Sequence, residues 1–179
     1  MTNTLTYKDI TDYENLLIRF YHSYLTSNYL AELLSITLRH LPEDTPIDTL
    51  GDFAQEYETV ASLAADAAGM WAELFFDMTE GGSPVDVELL SIIPMYHHAK
   101  QEMQENIGRV WLRVSEVFDI EQHDAVIREL EASLASQSIQ DQYDLVLTGQ
   151  YPTMPENIQD VVASLKANAM AQTSVALDE

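Results

Sequence analysis

The sequence predicts an all-α protein, a single bundle-like domain of six to eight helices over residues 1–172, with a frayed acidic tail at 173–179. Three observations lead there. Apolar residues recur three or four apart along nearly the whole chain, the period of a helix with one buried face. No stretch alternates apolar and polar residues as a half-buried strand does, and no internal repeat is visible. Capping residues, glycines and prolines cut the pattern into helix-length pieces. With 179 residues, 46% of them hydrophobic, the chain can bury one ordinary core despite its charge. An alternative division makes two helical halves joined at Gly81-Gly82, since paired glycines form a flexible joint.

Thr11-Asp12-Tyr13-Glu14 has the form of a capping box, opening a helix with Leu16, Leu17, Phe20, Tyr21 and Tyr24 inward. Ser27 or Asn28 can cap a second helix that turns Leu30, Leu33, Leu34, Ile36, Leu38 and Leu41 to the core. Leu41 to Asp48, with two prolines and three acids, is expected to be loop. The longest helix is predicted from about Thr49 to Met78. Its stripe is Phe53, Tyr57, Val60, Ala64, Ala68, Trp71, Leu74, Phe75 and Met78. Gly81-Gly82 is expected to close it in the left-handed conformation, and Ser83-Pro84 to restart a helix.

Pro94 kinks or breaks that segment. Tyr96, Ala99, Met103, Ile107, Val110, Trp111, Val114 and Phe118 make the next buried face. Shorter helices are predicted around Asp124–Gln137 and Ile139–Leu147, the second closed by Gly149. A further capping box, Thr153-Met154-Pro155-Glu156, opens a last helix with Ile158, Val162, Leu165 and Ala169 inward, fraying from about Gln172.

Function is approached through charge. The net charge is −22, from thirty Asp and Glu against eight Lys and Arg. It is unevenly placed along the chain. Met1 to His40 holds four acids and three bases; Leu41 to Ala99 holds twelve acids and no base; Lys100 to Glu179 holds fourteen acids and five bases. On a wheel of about 100° per residue, Asp52, Glu56, Asp66, Glu73, Asp77 and Glu80 of the long helix fall within about a third of the circumference. Like charges four apart, as in Asp52/Glu56 and Glu73/Asp77, cost a helix about 0.2–0.5 kcal/mol each, so their retention asks for a reason.

Three reasons compete beyond a plain solvated face. A row of carboxylates can imitate phosphates and occupy a groove whose Lys and Arg otherwise hold nucleic acid. The acids can face one dedicated basic protein without mimicry, as in a toxin immunity protein or a small chaperone. Or the charge is a halophilic adaptation, against which the near-neutral first forty residues count. In composition the chain resembles, as a class, the acidic anti-restriction and anti-CRISPR proteins of phages and mobile elements. That resemblance implies an inhibitor of a nuclease or defence complex. The expected contact residues are Glu43, Asp44, Asp48, Asp52, Glu56, Asp66, Glu73, Asp77 and Glu80. So acidic a chain is not expected to bind nucleic acid or anionic membrane directly.

Tyr7, Tyr13, Phe20, Tyr21, Tyr24 and Tyr29 crowd the first thirty residues, either filling the core or forming a homodimer interface at Tyr13, Phe20, Tyr21 and Tyr24. A dimer would double the length of the negative track. No cofactor or metal is expected, and the chain is not read as an enzyme. Cysteine is absent, which removes disulfides and thiolate chemistry, and no phosphate loop or nucleophile elbow occurs. His97-His98 with Glu102 and Glu105 lacks the Glu-x-x-His pattern of di-iron bundles. His123-Asp124 matches only the naming dipeptide of HD-type phosphohydrolases, and Asp124 serves more simply as a helix N-terminal charge. Glu102-x-x-Glu105 and Glu116-x-x-Asp119 are similar to the acidic pairs of all-helical nucleotide pyrophosphatases, but are expected on one helix where they cannot converge, with Glu105–Arg109 as a surface ion pair. The N-terminus has no basic start followed by an apolar stretch, and no run is long enough to span a bilayer, so a soluble cytoplasmic protein is expected.

Overall fold

The computed structural model describes residues 4–81, 84, 93–137 and 140–177, with backbone alone at 93–99, 140 and 177. Six α-helices and no strand occur among them, arranged as one bundle-like domain. They are α1 (Tyr7–His40), α2 (Ile47–Phe76), α3 (Ile93–Val117), α4 (Ile120–Ser136), α5 (Gln140–Leu147) and α6 (Glu156–Leu177), with a π-helical turn at Asp77–Gly81.

The first 34-residue helix, about 51 Å long, is the axis of the molecule. All five other helices pack against it. Its buried residues lie around the whole circumference, including the neighbours Thr26/Ser27, Leu33/Leu34 and Ile36/Thr37, each fully enclosed. A helix apolar on every side is an interior helix. Its start lies a turn before the predicted one: Thr6 caps the N–H of Asp9 at 3.2 Å, and the Asp9 carboxylate accepts from the Thr6 N–H at 2.8 Å. Thr11 is inside the helix and donates to the Tyr7 carbonyl.

No second helix begins at Ser27 or Asn28; the backbone runs straight through. Enclosure overrides the local preference of both residues: Asn28 finds tertiary partners, while the Ser27 hydroxyl is buried with no hydrogen-bond partner among the described residues. Asn28 donates to the Tyr143 hydroxyl at 2.6 Å, and that hydroxyl donates to Gln137 at 2.9 Å. Thr26 bonds back to the His22 carbonyl at 2.9 Å. Tyr143 is fully buried, and burial raises its phenol to about 12.

A short connection, turned by the Thr45 N–H to Pro42 carbonyl bond, returns the chain as α2 antiparallel to α1. Phe53 and Val60 of α2 join Leu25 to Ile36 of α1, with residues of α3, α4 and α5, in one core cluster. Leu74 and Met78 join Ile10 to Phe20 and residues of α6 in a second cluster. Both cores combine helices from either side of Gly81-Gly82, so the chain does not divide into halves there. The α2 stripe is as predicted at Phe53, Val60, Ala64, Leu74 and Met78; near the middle, Ala67 is buried and Ala68 exposed.

Gly81 sits in the π turn and not in the left-handed region; Gly82, Ser83 and most of the restarted helix lie outside the described residues. Pro94 is the second described residue of α3, and the described helix runs on from it to Val117 without a break. The cap of α4 is Asp119, boxed with Gln122, so the helix starts before Asp124. Gly149, at φ 86°, ends α5 as predicted, with Gln150 N–H to Leu145 O and Gly149 N–H to Val146 O closing a Schellman motif. The Thr153–Glu156 box is replaced: the Pro155 carbonyl receives the Ile158 and Gln159 N–H groups, while the Thr153 N–H donates to Gln142. The last helix continues to Leu177, with residues 171–176 exposed.

Tyr13 and Phe20, named for a dimer interface, are interior, each 2% exposed within the protein's own core. Tyr21 and Tyr24 are half-buried against it, Tyr21 packing at 6.4 Å from Trp71. Of the crowded rings, Tyr13, Phe20 and Tyr29 fill core, Tyr21 and Tyr24 pack against it, and Tyr7 is exposed. Leu33→Ala, fully buried in the C-terminal half of α1, is expected to lower unfolding free energy by about 2–5 kcal/mol in urea titration. Gly149→Ala forces an L side chain into the left-handed region, with its Cβ 3.1 Å from the Gln104 amide. A loss of about 1–2 kcal/mol is expected, read as a lower thermal midpoint.

Candidate acidic interface

The candidate site is one edge of α2. Because the helix begins at Ile47, Asp48 belongs to it and falls in line with the acids behind it. Asp48, Asp52, Asp66, Glu73 and Asp77 are exposed, and none of them forms an ion pair among the described residues. Glu56 differs: it pairs with Arg113 of α3, whose guanidinium also lies 4.6 Å from the Phe53 ring centre. Glu43 and Asp44 are exposed in the connection before α2 and prolong the track. Glu80 is exposed but sits in the wider π turn, which rotates it off the regular wheel.

The described part of the site is therefore a ridge. From Asp48 to Asp77 it spans about 43 Å, at 1.5 Å per residue. Six carboxylates over that length give one per about 7 Å, roughly half the linear density of a single nucleic-acid strand at about 3.4 Å per charge. Its largest gap, from Glu56 to Asp66, is about 15 Å along the axis. Leu63, 45% exposed, occupies that gap on the same face.

The protein's few cations are mostly committed inside its own structure. Lys8 pairs with Asp12, Arg39 with Glu129, Arg113 with Glu56 and Lys166 with Glu14. His40 adds a second contact to Glu129 at 2.6 Å, and that hydrogen bond, with the Arg39 charge beside it, holds the Glu129 carboxyl below its usual range. Arg19 and Lys100 both lie over the Tyr151 ring, 5.1 and 4.1 Å from its centre. Arg109 and Arg128 remain as exposed cations. Exposed acids also occur on the other helices, among them Glu102, Glu116, Glu131, Asp141, Glu156 and Asp160. The near-neutral first forty residues have a simple cause: they are the interior helix, where unpaired charge is costly. Their neutrality thus no longer counts against halophilic adaptation.

Metal and hydrolase constellations gain nothing from the fold. No group of three or more potential ligands converges among the described residues, and the side chains of His97 and His98 lie outside them. Glu102, Glu105 and Glu116 lie on α3, while Asp119 is the cap of α4. Glu105–Arg109 is not among the ion pairs of the described residues. His123 bonds Ser115 at 3.1 Å and packs on Trp111. Among the described residues no helix is long and apolar enough to cross a membrane. No protein-family model, curated protein or solved structure matches this chain.

One titrating group was missed by sequence reasoning. His22 is 4% exposed on α1, its ring 5.4 Å from Tyr151, and burial, with Lys100 and Arg19 adding to it, lowers its pKa to about 4. Its position on a helix with apolar residues all round was the only signal. Since the folded value lies below the ordinary 6.5, the unfolded chain takes up the proton first. Full stability from this group is present above pH 6.5 and is lost as pH falls toward 4. His22→Gln is expected to remove about 2–3 kcal/mol of acid destabilisation, read as the parent-minus-variant difference in urea unfolding at pH 7 and pH 4.5.

Proposed function

We propose that this protein is an acidic inhibitor that docks the outer edge of α2 onto the basic, nucleic-acid-binding surface of another protein, a nuclease or defence complex of the kind countered by anti-restriction and anti-CRISPR proteins. One observation supports this most: five carboxylates, Asp48, Asp52, Asp66, Glu73 and Asp77, stand exposed along about 43 Å with no ion pair to any of them among the described residues. Lys and Arg that hold phosphates would meet them as charge-assisted partners. The protein acts by occupancy and performs no chemistry. At half the charge density of a strand, the ridge supplies steering and register, and apolar contact has to supply part of the affinity.

Immobilised protein is expected to capture nucleic-acid-binding proteins from a host lysate, and added duplex or guide-bound nucleic acid to release them. Neutralising those five acids to Asn or Gln should abolish capture. Neutralising Glu121, Glu131, Asp141, Glu156 and Asp160 should leave it. Capture that resists both nucleic acid and 0.5 M salt would remove the mimicry and leave a dedicated basic partner.

Halophilic adaptation is the second reading, favoured by the exposed acids on α3 to α6. Simple screening is nearly complete at 1 M salt, where the Debye length is about 3 Å. A thermal midpoint that keeps climbing from 1 to 3 M KCl, equally in both neutralised variants, would select it over the inhibitor.

A further inference from the structure

Beside the ridge, α2 and α3 enclose a groove of about 430 Å³, whose lining includes Asp52, Glu56, Val60, Leu63, Met103 and Arg113. Val60 is buried and Met103 half-buried, so the floor is apolar; Leu63 stands at the lip with 45% of its surface in solvent. An exposed leucine in the gap of a carboxylate row gives this groove two chemistries at once. The groove's own occupant indicates the cation it suits. Arg113 pairs there with Glu56 while its guanidinium lies against the Phe53 ring, an anion and an aromatic face acting together. A planar, weakly hydrated guanidinium satisfies both contacts; a compact ammonium satisfies the first alone.

We infer that the groove seats an arginine-bearing amphipathic helix of the basic partner. One aliphatic side chain of that helix packs on Leu63, and arginines on either side of it meet Asp52 and Asp66. This rests on α2 being the docking edge and adds which side chains of the partner carry affinity. Charge complementarity fixes the occupant's sign, and the apolar lip fixes where its affinity is concentrated, because exposed ion pairs alone contribute little. A desolvated anchor ringed by polar contacts is the arrangement that dominates binding.

Two 18-residue helical peptides of equal charge test it by calorimetric titration at 0.15 M salt: one carries arginines flanking a central leucine, the other a serine in place of that leucine. The leucine peptide is expected to bind at least tenfold tighter, and Leu63→Ala to erase the difference. Leu63→Gln, which keeps length but removes apolarity, gives the same readout should the alanine variant melt early. Equal binding of the two peptides, or a leucine preference that survives both variants, overturns the inference, as does no binding of either. Serine-peptide binding that is lost on neutralising Asp48, Asp52, Asp66, Glu73 and Asp77, with no leucine preference, overturns the groove while leaving the docking edge intact.

Discussion

Enclosure of α1 on every side is the constraint from which the rest of this structure follows. A helix about 51 Å long is covered by α2 along its length, by α3, α4 and α5 over its C-terminal half, and by α6 over its N-terminal half. Each outer helix then needs only one apolar stripe, because its other faces look to water. Apolar burial supplies the driving force, roughly 25 cal/mol for each Å² removed from solvent. Of the polar residues trapped on α1, Asn28 is satisfied by Tyr143, and Thr26 and Thr37 by backbone carbonyls one turn back, whereas the Ser27 hydroxyl and His22 Nε2 are buried with no hydrogen-bond partner among the described residues.

That arrangement also distributes the charge. An interior helix cannot carry unpaired carboxylates, so the acids are displaced to the five outer helices. The scarce cations are placed where outer helices meet α1 or each other: Lys166 on Glu14, Arg39 on Glu129, Arg113 on Glu56. Used in this way they brace helix junctions, and the remaining surface is left strongly negative. Along α2 the negative edge contains no base, and Arg113 reaches it only at Glu56. Carboxylates there repel one another, which favours any encounter that brings in positive charge.

His22 shows the opposite use of enclosure. It is held neutral between Arg19, Lys100 and Tyr151, in a region where one more proton would add a third positive charge. Acidification therefore works on this protein in two directions: protonated carboxylates relieve surface repulsion, while a protonated His22 strains the core.

Helical class, the loop between α1 and α2, the stripe of α2, the Gly149 terminus and the inward residues of α6 were all legible in the sequence. Each is set by short-range periodicity or by backbone chemistry within a few residues, as the left-handed requirement at Gly149 is. Placement of Asp52, Glu56, Asp66, Glu73 and Asp77 on one helical edge followed from the same arithmetic, whereas Asp48 was expected in the loop and Glu80 on the regular helix. What only the tertiary structure decided was the fate of residues whose partners are distant in the chain. Ser27 and Asn28 look like caps until Tyr143 and Gln137, more than a hundred residues on, claim Asn28. Glu56 looks like its acidic neighbours until Arg113 takes it, and the neutrality of the first forty residues counts against halophilic adaptation until burial accounts for it. Local sequence carries periodicity and propensity; which polar group meets which is set by packing that brings distant segments together.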